Sequence, residues 1–149
     1  MNRTKELSDL LEIKSFLDHR YEGYINGYSE ITSFIVKKEL NYPVRGGYYL
    51  SNGLEEMPRD RDKFLDAIRY WNVDNNRNII ELAPQNSGSD ENEALIIPSG
   101  SEEAKKYLFD FELTRYMRFM HWFNPVYRRV YKEFQDYKNK SKQNNRLSL

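Results

Sequence analysis

Apolar positions recur at helical spacing from the start of the chain. Between Glu6 and Arg20, Leu7, Leu10, Leu11 and Leu17 form a stripe that Ile13 and Phe16 widen, with Asp9, Glu12 and Asp18 outside it. That pattern predicts an amphipathic helix. Tyr21 to Tyr28 carries two glycines and an Asn-Gly pair, which predicts a loop or tight turn. Ser29 to Leu40 fits two periods. Ile31, Thr32, Phe34, Ile35 and Val36 have strand composition, while Ile31, Phe34 and Ile35 also suit a helical stripe, and composition favours the strand. Asn41 to Gly47 then reads as a turn, and Tyr48 to Ser51 as a short strand pairing back, closed by Asn52-Gly53.

Pro58 suits a first helical turn, Asp60 and Asp62 suit its positive end, and Phe64, Leu65, Ile68 and Trp71 form one face, predicting a helix over 58–72. Ile79 to Leu82 and Ala94 to Ile97 read as strands stopped by Pro84 and Pro98, a hairpin with a polar, mobile tip at Gln85 to Asn92. Ser99 with Glu102 matches a capping box, and the chain looks helical from there to Phe123. Asn124-Pro125 breaks or kinks that helix. A last amphipathic segment, Val126 to Tyr137, puts Tyr127, Val130, Tyr131, Phe134 and Tyr137 on one face and Arg128, Arg129 and Lys132 on the other. These elements predict a single α+β domain over 1–138, a small antiparallel sheet from two hairpins covered by helices, with a long kinked C-terminal helical segment and a polar, flexible tail over 139–149.

A length of 149 residues fits one domain, since domains commonly run about 100 to 200 residues. The 22 aromatics can offset the entropy of folding, which argues against a disordered chain. Without cysteine there is no disulfide framework, thiolate nucleophile or cysteine-ligated metal, and a reducing compartment is favoured. The opening residues reach Glu6 without a signal-like apolar run, and no stretch matches a membrane span, so the expected location is cytoplasmic. Frequent Asn, Lys and Tyr suit AT-rich bacterial, phage or mobile-element genomes.

Charge is balanced overall, with 23 basic and 23 acidic residues, but not along the chain. Residues 113–149 hold nine basic and two acidic side chains, a net of +7, and the preceding 112 residues carry −7. The interval from Tyr107 to Tyr137 also holds 11 of the 22 aromatics. One reading packs an aromatic helix side on the sheet and leaves the cations solvated. A second notes that apolar residues between Tyr107 and Phe123 go all the way round a helix, with Leu108 and Phe111 on a different side from Phe109, Leu113, Met117 and Met120. A helix apolar all round is buried on several sides, which calls for a protein partner or a second copy. Trp122, Tyr127, Arg128, Tyr131 and Lys132 are then the expected partner-binding set, being mostly residue types enriched in interface hot spots. A third reading is nucleic-acid binding, with Arg115, Arg118, Arg128 and Arg129 on phosphates and the rings as stacking platforms.

Between Ile31 and Glu56, a possible helix, the Tyr42-Pro43 turn, Arg45-Gly46-Gly47 and Tyr48-Tyr49-Leu50 follow one another. This order, within 29–56, resembles the recognition helix and wing of some phage winged-helix regulators. The resemblance implies that Lys37, Lys38 and Arg45 touch DNA; the alternative is a hairpin with ordinary surface charges.

Catalytic signals are sparse. His19 and His121 stand alone, without the paired spacing of a metal site. Asp60, Asp62 and Asp66 lie where a helix dipole already accounts for them, and Glu81, which on a predicted strand with Lys or Arg elsewhere could suggest a nuclease site, is an acidic residue of the kind a strand carries by chance. No phosphate-binding loop, dinucleotide fingerprint or nucleophile elbow occurs. The expectation is a small non-catalytic cytosolic binding protein, a regulator or inhibitor of phage or mobile-element origin, with no metal or cofactor.

Overall fold

The computed structural model describes residues 3–21, 29–50, 67–82 and 96–147. The loop at 22–28, Ser51 with the Asn52-Gly53 turn, the start of the 58–72 helix, Pro84 and the hairpin tip at 85–92 lie outside the described residues.

The chain is α+β. Helix α1 (Arg3–Arg20) is followed by α2 (Ser29–Leu40), strands β1 (Val44–Tyr49), β2 (Ile68–Val73), β3 (Ile79–Ile80) and β4 (Ile96–Ile97), a short 3-10 turn (Ala104–Lys106), β5 (Tyr107–Phe109), and helices α3 (Phe111–Phe123) and α4 (Pro125–Leu147). The strands form one antiparallel sheet in the order β4-β3-β2-β1-β5. α2 lies on β2 and α3 on β1, while α1 and α4 flank α2.

α1 turns Leu10, Ile13, Phe16 and Leu17 inward and leaves Leu7 and Leu11 exposed. Its buried face also carries Glu6, whose carboxylate accepts the Tyr42 hydroxyl proton and pairs with Arg3 at 2.8 Å. Around α1 the main core gathers Ile35 and Val36 of α2, Ile80 and Leu82 beside the sheet, and Val130 and Phe134 of α4. Phe16 meets Phe134 edge-on at 5.4 Å.

The segment 29–40 is a helix, not the strand its composition favours. Thr32, Ser33, Phe34, Ile35 and Val36 are all buried because α2 sits between the sheet and the other helices. Burial on several sides removes the polar stripe that marks a helix, and tertiary packing outweighs the β-branched preference. Tyr48 and Tyr49 therefore pair with β2 and β5 rather than with 29–40.

Two further expectations change. Ile68 to Asn72 is strand, not the end of a helix. Ile68, Tyr70 and Asn72 face the helices and Arg69, Trp71 and Val73 the opposite side, so with both faces covered the usual polar alternation is absent. Arg69 is only 1% exposed and survives there by pairing with Glu81 at 2.8 Å. The span from Ser99 to Phe123 is not one helix either, since a short 3-10 turn, whose Ala104 N–H donates to the Ser101 hydroxyl, interrupts it and Tyr107–Phe109 joins β1 as an edge strand. Of the expected hairpin, Ile79 pairs opposite Ile97 and Ile80 opposite Ile96, while Ala94 and Leu95 lie outside the described residues. α4 continues as helix to Leu147, so the polar stretch 139–147 is helical.

Gly46 and Gly47 allow close approach on the two sheet faces in turn. A Cβ on Gly46 would stand 2.9 Å from the Leu113 backbone of α3, and one on Gly47 only 2.0 Å from the Leu108 carbonyl oxygen.

Candidate functional site

α3 starts where Asp110 caps it, its carboxylate accepting the Leu113 N–H at 2.8 Å. From that start, helical geometry places Thr114, Met117 and His121 against the sheet and α2, and these are the buried positions. Two of the three are polar, and both are bonded inside. Thr114 Oγ1 accepts from the Gly46 N–H at 2.8 Å and donates to the Asp110 carbonyl at 2.7 Å. His121 Nε2 lies 2.9 Å from the Glu30 carbonyl oxygen, which can only accept, so Nε2 carries the proton. Nδ1 is then a bare acceptor, buried and without a partner among the described residues. Burial, opposed by the Glu30 bond and assisted by Lys37, pushes the His121 pKa down to about 4, so the ring is neutral at pH 7.

The outward side of α3 is aromatic. Phe111, Tyr116, Phe119, Trp122 and Phe123 are all more than half exposed, Trp122 the most at 72%. Phe119 and Phe123, one turn apart, hold their ring centroids 4.4 Å from each other. Val126 extends the patch past the helix break, and exposed Arg115 and Arg118 stand among the rings. Exposed large apolar residues are ordinary when scattered, but five aromatics on a single helix face form a contiguous patch of the kind that marks interaction sites.

The break itself is built as the sequence suggests. Asn124 is extended (φ −84°, ψ 117°) and its side-chain oxygen accepts from the Val126 N–H at 3.0 Å, so α4 starts anew with Pro125 at its first position. Arg128 reaches back from α4 and donates to the Trp122 carbonyl at 2.7 Å, satisfying one of the last acceptors of α3. Arg128, Trp122, His121, Lys38 and Phe34 together line a groove of about 460 Å³.

Of the expected partner-binding set, Trp122, Arg128 and Lys132 are exposed. Tyr127 is not a surface residue. It is 4% exposed, packs against Phe34 and His121, and donates to the Glu30 carboxylate at 3.1 Å. Tyr131 is half-buried on the core and donates to Glu39 at 2.9 Å, with its pKa pushed up to about 12 by burial and that bond. Both tyrosines are therefore part of the frame beneath the patch. Phe111, Tyr116, Phe119 and Phe123 complete the exposed set, and the signal for them was the helix start at Asp110.

The positions suggested for nucleic acid do not come together as one surface. Arg115 and Arg118 lie on α3 and Arg128 and Arg129 on α4, all exposed. Lys37 is half-buried near Arg118 and Lys38, and burial, then those two cations, lower its pKa. Arg45 is on the sheet face away from the helices, stacked on Phe109 with its guanidinium carbon 5.1 Å from the ring centroid. α2 cannot serve as a recognition helix, because Phe34, Ile35 and Val36 hold it inside the fold. Among the described residues no helix is long and apolar enough to cross a membrane. No protein-family model, no curated protein and no solved structure matches this chain.

Proposed function

We propose that this chain is a small non-catalytic binding protein that engages a protein partner, or a second copy of itself, through the outward face of α3. The observation that supports this is the exposure of five aromatic side chains on a helix whose inward side is already filled by Leu113, Met117 and Met120 and by the bonded Thr114 and His121. Rings of this size give a rigid contact area at low entropic cost, and Arg115, Arg118 and Arg128 supply the polar margin common in such interfaces. The expected role remains that of a cytoplasmic regulator or inhibitor of phage or mobile-element origin.

A specific feature favours a second reading. Arg115 and Arg118 interleave with the rings, and Lys37, whose pKa is lowered first by burial and then by Arg118 and Lys38, lies near them, so a single-stranded nucleic acid could stack and pair its phosphates there.

Size-exclusion chromatography with light scattering, at low and high salt and with nuclease treatment, separates the two. The protein-binding reading expects a salt-resistant dimer or co-purifying protein that is lost in a Phe119→Ser, Trp122→Ser double variant. A monomer carrying nuclease-sensitive 260 nm absorbance that salt removes would put nucleic acid first.

A further inference from the structure

The sheet face away from the helices holds a second candidate site, on the other side of the sheet from α3. β4 and β5 lie at opposite edges of the sheet, so the connection between them must cross it. Ser99, Gly100, Ala104 and Lys105 of that connection line one cleft with Trp71 and Ile79, which places the crossing on this face. The cleft encloses about 510 Å³, within the range of about 300–1,000 Å³ typical of small-molecule sites.

Its floor is apolar, formed by Trp71, Val73 and Ile79. Ring surface comes from Tyr107, half-buried and edge-on to Trp71 at 5.1 Å, and from Phe109, which is 46% exposed. Among the described residues the charged lining is entirely basic: Arg45, Arg77 and Lys105. Lys105 is shared with Glu102 at 3.0 Å, but among the described residues neither Arg45 nor Arg77 is held in an ion pair. The buried carboxylate on this face, Glu81, is already engaged by Arg69.

The Arg45 side chain is held, and so is the backbone that carries Arg77. Arg45 lies on the Phe109 ring. Arg77 sits at φ 63° in the β2–β3 turn, where the Asp74 carboxylate accepts the Asn76 and Asn78 N–H groups at 2.9 Å and the Arg77 N–H donates to the Asp74 carbonyl at 3.1 Å.

We propose that this cleft binds a nucleoside monophosphate, its base against Phe109 and Tyr107 and its phosphate met by Arg45 and Arg77. A phosphate carries nearly two charges and three acceptor oxygens, enough for two guanidinium groups, whereas one carboxylate is filled by a single bidentate arginine. The base needs exposed ring surface, and Phe109, 46% exposed with Arg45 over the ring, still offers some.

The probe is adenosine monophosphate, titrated into a Trp122→Phe variant so that the remaining tryptophan, Trp71 in the cleft floor, reports binding by fluorescence. The expected result is a saturable change, weakened about tenfold or more by Arg45→Glu with Arg77→Glu, and about tenfold or more weaker for adenosine or inorganic phosphate alone. Arg77→Gln, on the exposed turn, is the second variant if the double charge reversal unfolds, and it too weakens binding. No saturable response to millimolar adenosine monophosphate, undiminished affinity in a folded arginine variant, or equal affinity for either fragment would overturn the proposal. Trp122→Phe keeps a ring on α3, and a failure in the cleft leaves the partner-binding reading of α3 untouched.

Discussion

α3 and α4 adjoin at Asn124 and both carry rings and arginines, yet they turn their rings in opposite senses. α4 buries its rings, with Tyr127 and Phe134 in the core and Tyr131 and Tyr137 against it, and exposes Arg128, Arg129 and Lys132. α3 buries Thr114, Met117 and His121 and exposes Phe111, Tyr116, Phe119, Trp122 and Phe123. Leu113, Met117 and Met120 anchor α3 by its inward side while its five rings stay outside. Its orientation is fixed further by bonds to Gly46 through Thr114 and to Glu30 through His121, together with a glycine that lets the helix sit directly on β1. Rings in α4 serve folding, whereas rings in α3 contribute little to folding and are available for contact.

Four changes would break or sharpen this contrast. The largest effect is expected for Phe134→Ala, which empties a site 1% exposed at the centre of the main core and should cost about 3–5 kcal/mol in urea unfolding. Next comes acid. The folded pKa of His121 is depressed from 6.5 to about 4, so between those values the unfolded chain takes up a proton that the folded one refuses. Stability should therefore fall as pH drops through that window, by on the order of 3 kcal/mol from this group. His121→Gln, whose amide can still donate to Glu30, should flatten that part of the pH profile, and an unchanged slope would remove His121 as its source.

Gly46→Ala should cost about 1–3 kcal/mol, because the new methyl meets the α3 backbone and Tyr70 at 2.9 Å and the helix must lift. Melting temperature and near-ultraviolet circular dichroism would both register the shift. The smallest change is expected from Phe119→Ser with Trp122→Ser, within about 0.5 kcal/mol of the parent in the same urea experiment. A large loss there would mean that the α3 rings support the fold after all.

Much of α4 was legible from sequence because its face is one-sided: Tyr127, Val130, Tyr131, Phe134 and Tyr137 recur at helical spacing with cations opposite, and Pro125 marks the break. α1 was legible for the same reason, and so was the hairpin of Ile79-Ile80 with Ile96-Ile97, bounded by Pro98. α2 and β2 were not. Each is covered on more than one side, so the polar half of the pattern is missing, and Ile68 with Trp71 mimics a helical pair in what is a strand. α3 was misread because its start was placed at Ser99, which made Tyr107 to Phe109 look like part of one helix that is apolar all round. Trp122 and Arg128 were found as surface residues, but Tyr127 was mistaken for one, since a stripe of rings does not say which side of the molecule it faces.

The chain has no cysteine, so a thiol introduced at one position is a unique probe of that contrast. Labelling rates of Phe119→Cys and Phe134→Cys with a thiol reagent, in dilute protein, compare the two faces directly. The account predicts that position 119 reacts nearly as fast as in the unfolded chain and becomes protected only when a partner or second copy binds, while position 134 stays protected until the protein unfolds. Protection of position 119 in the dilute, partner-free protein would contradict it, because the chain itself would then cover the face of α3.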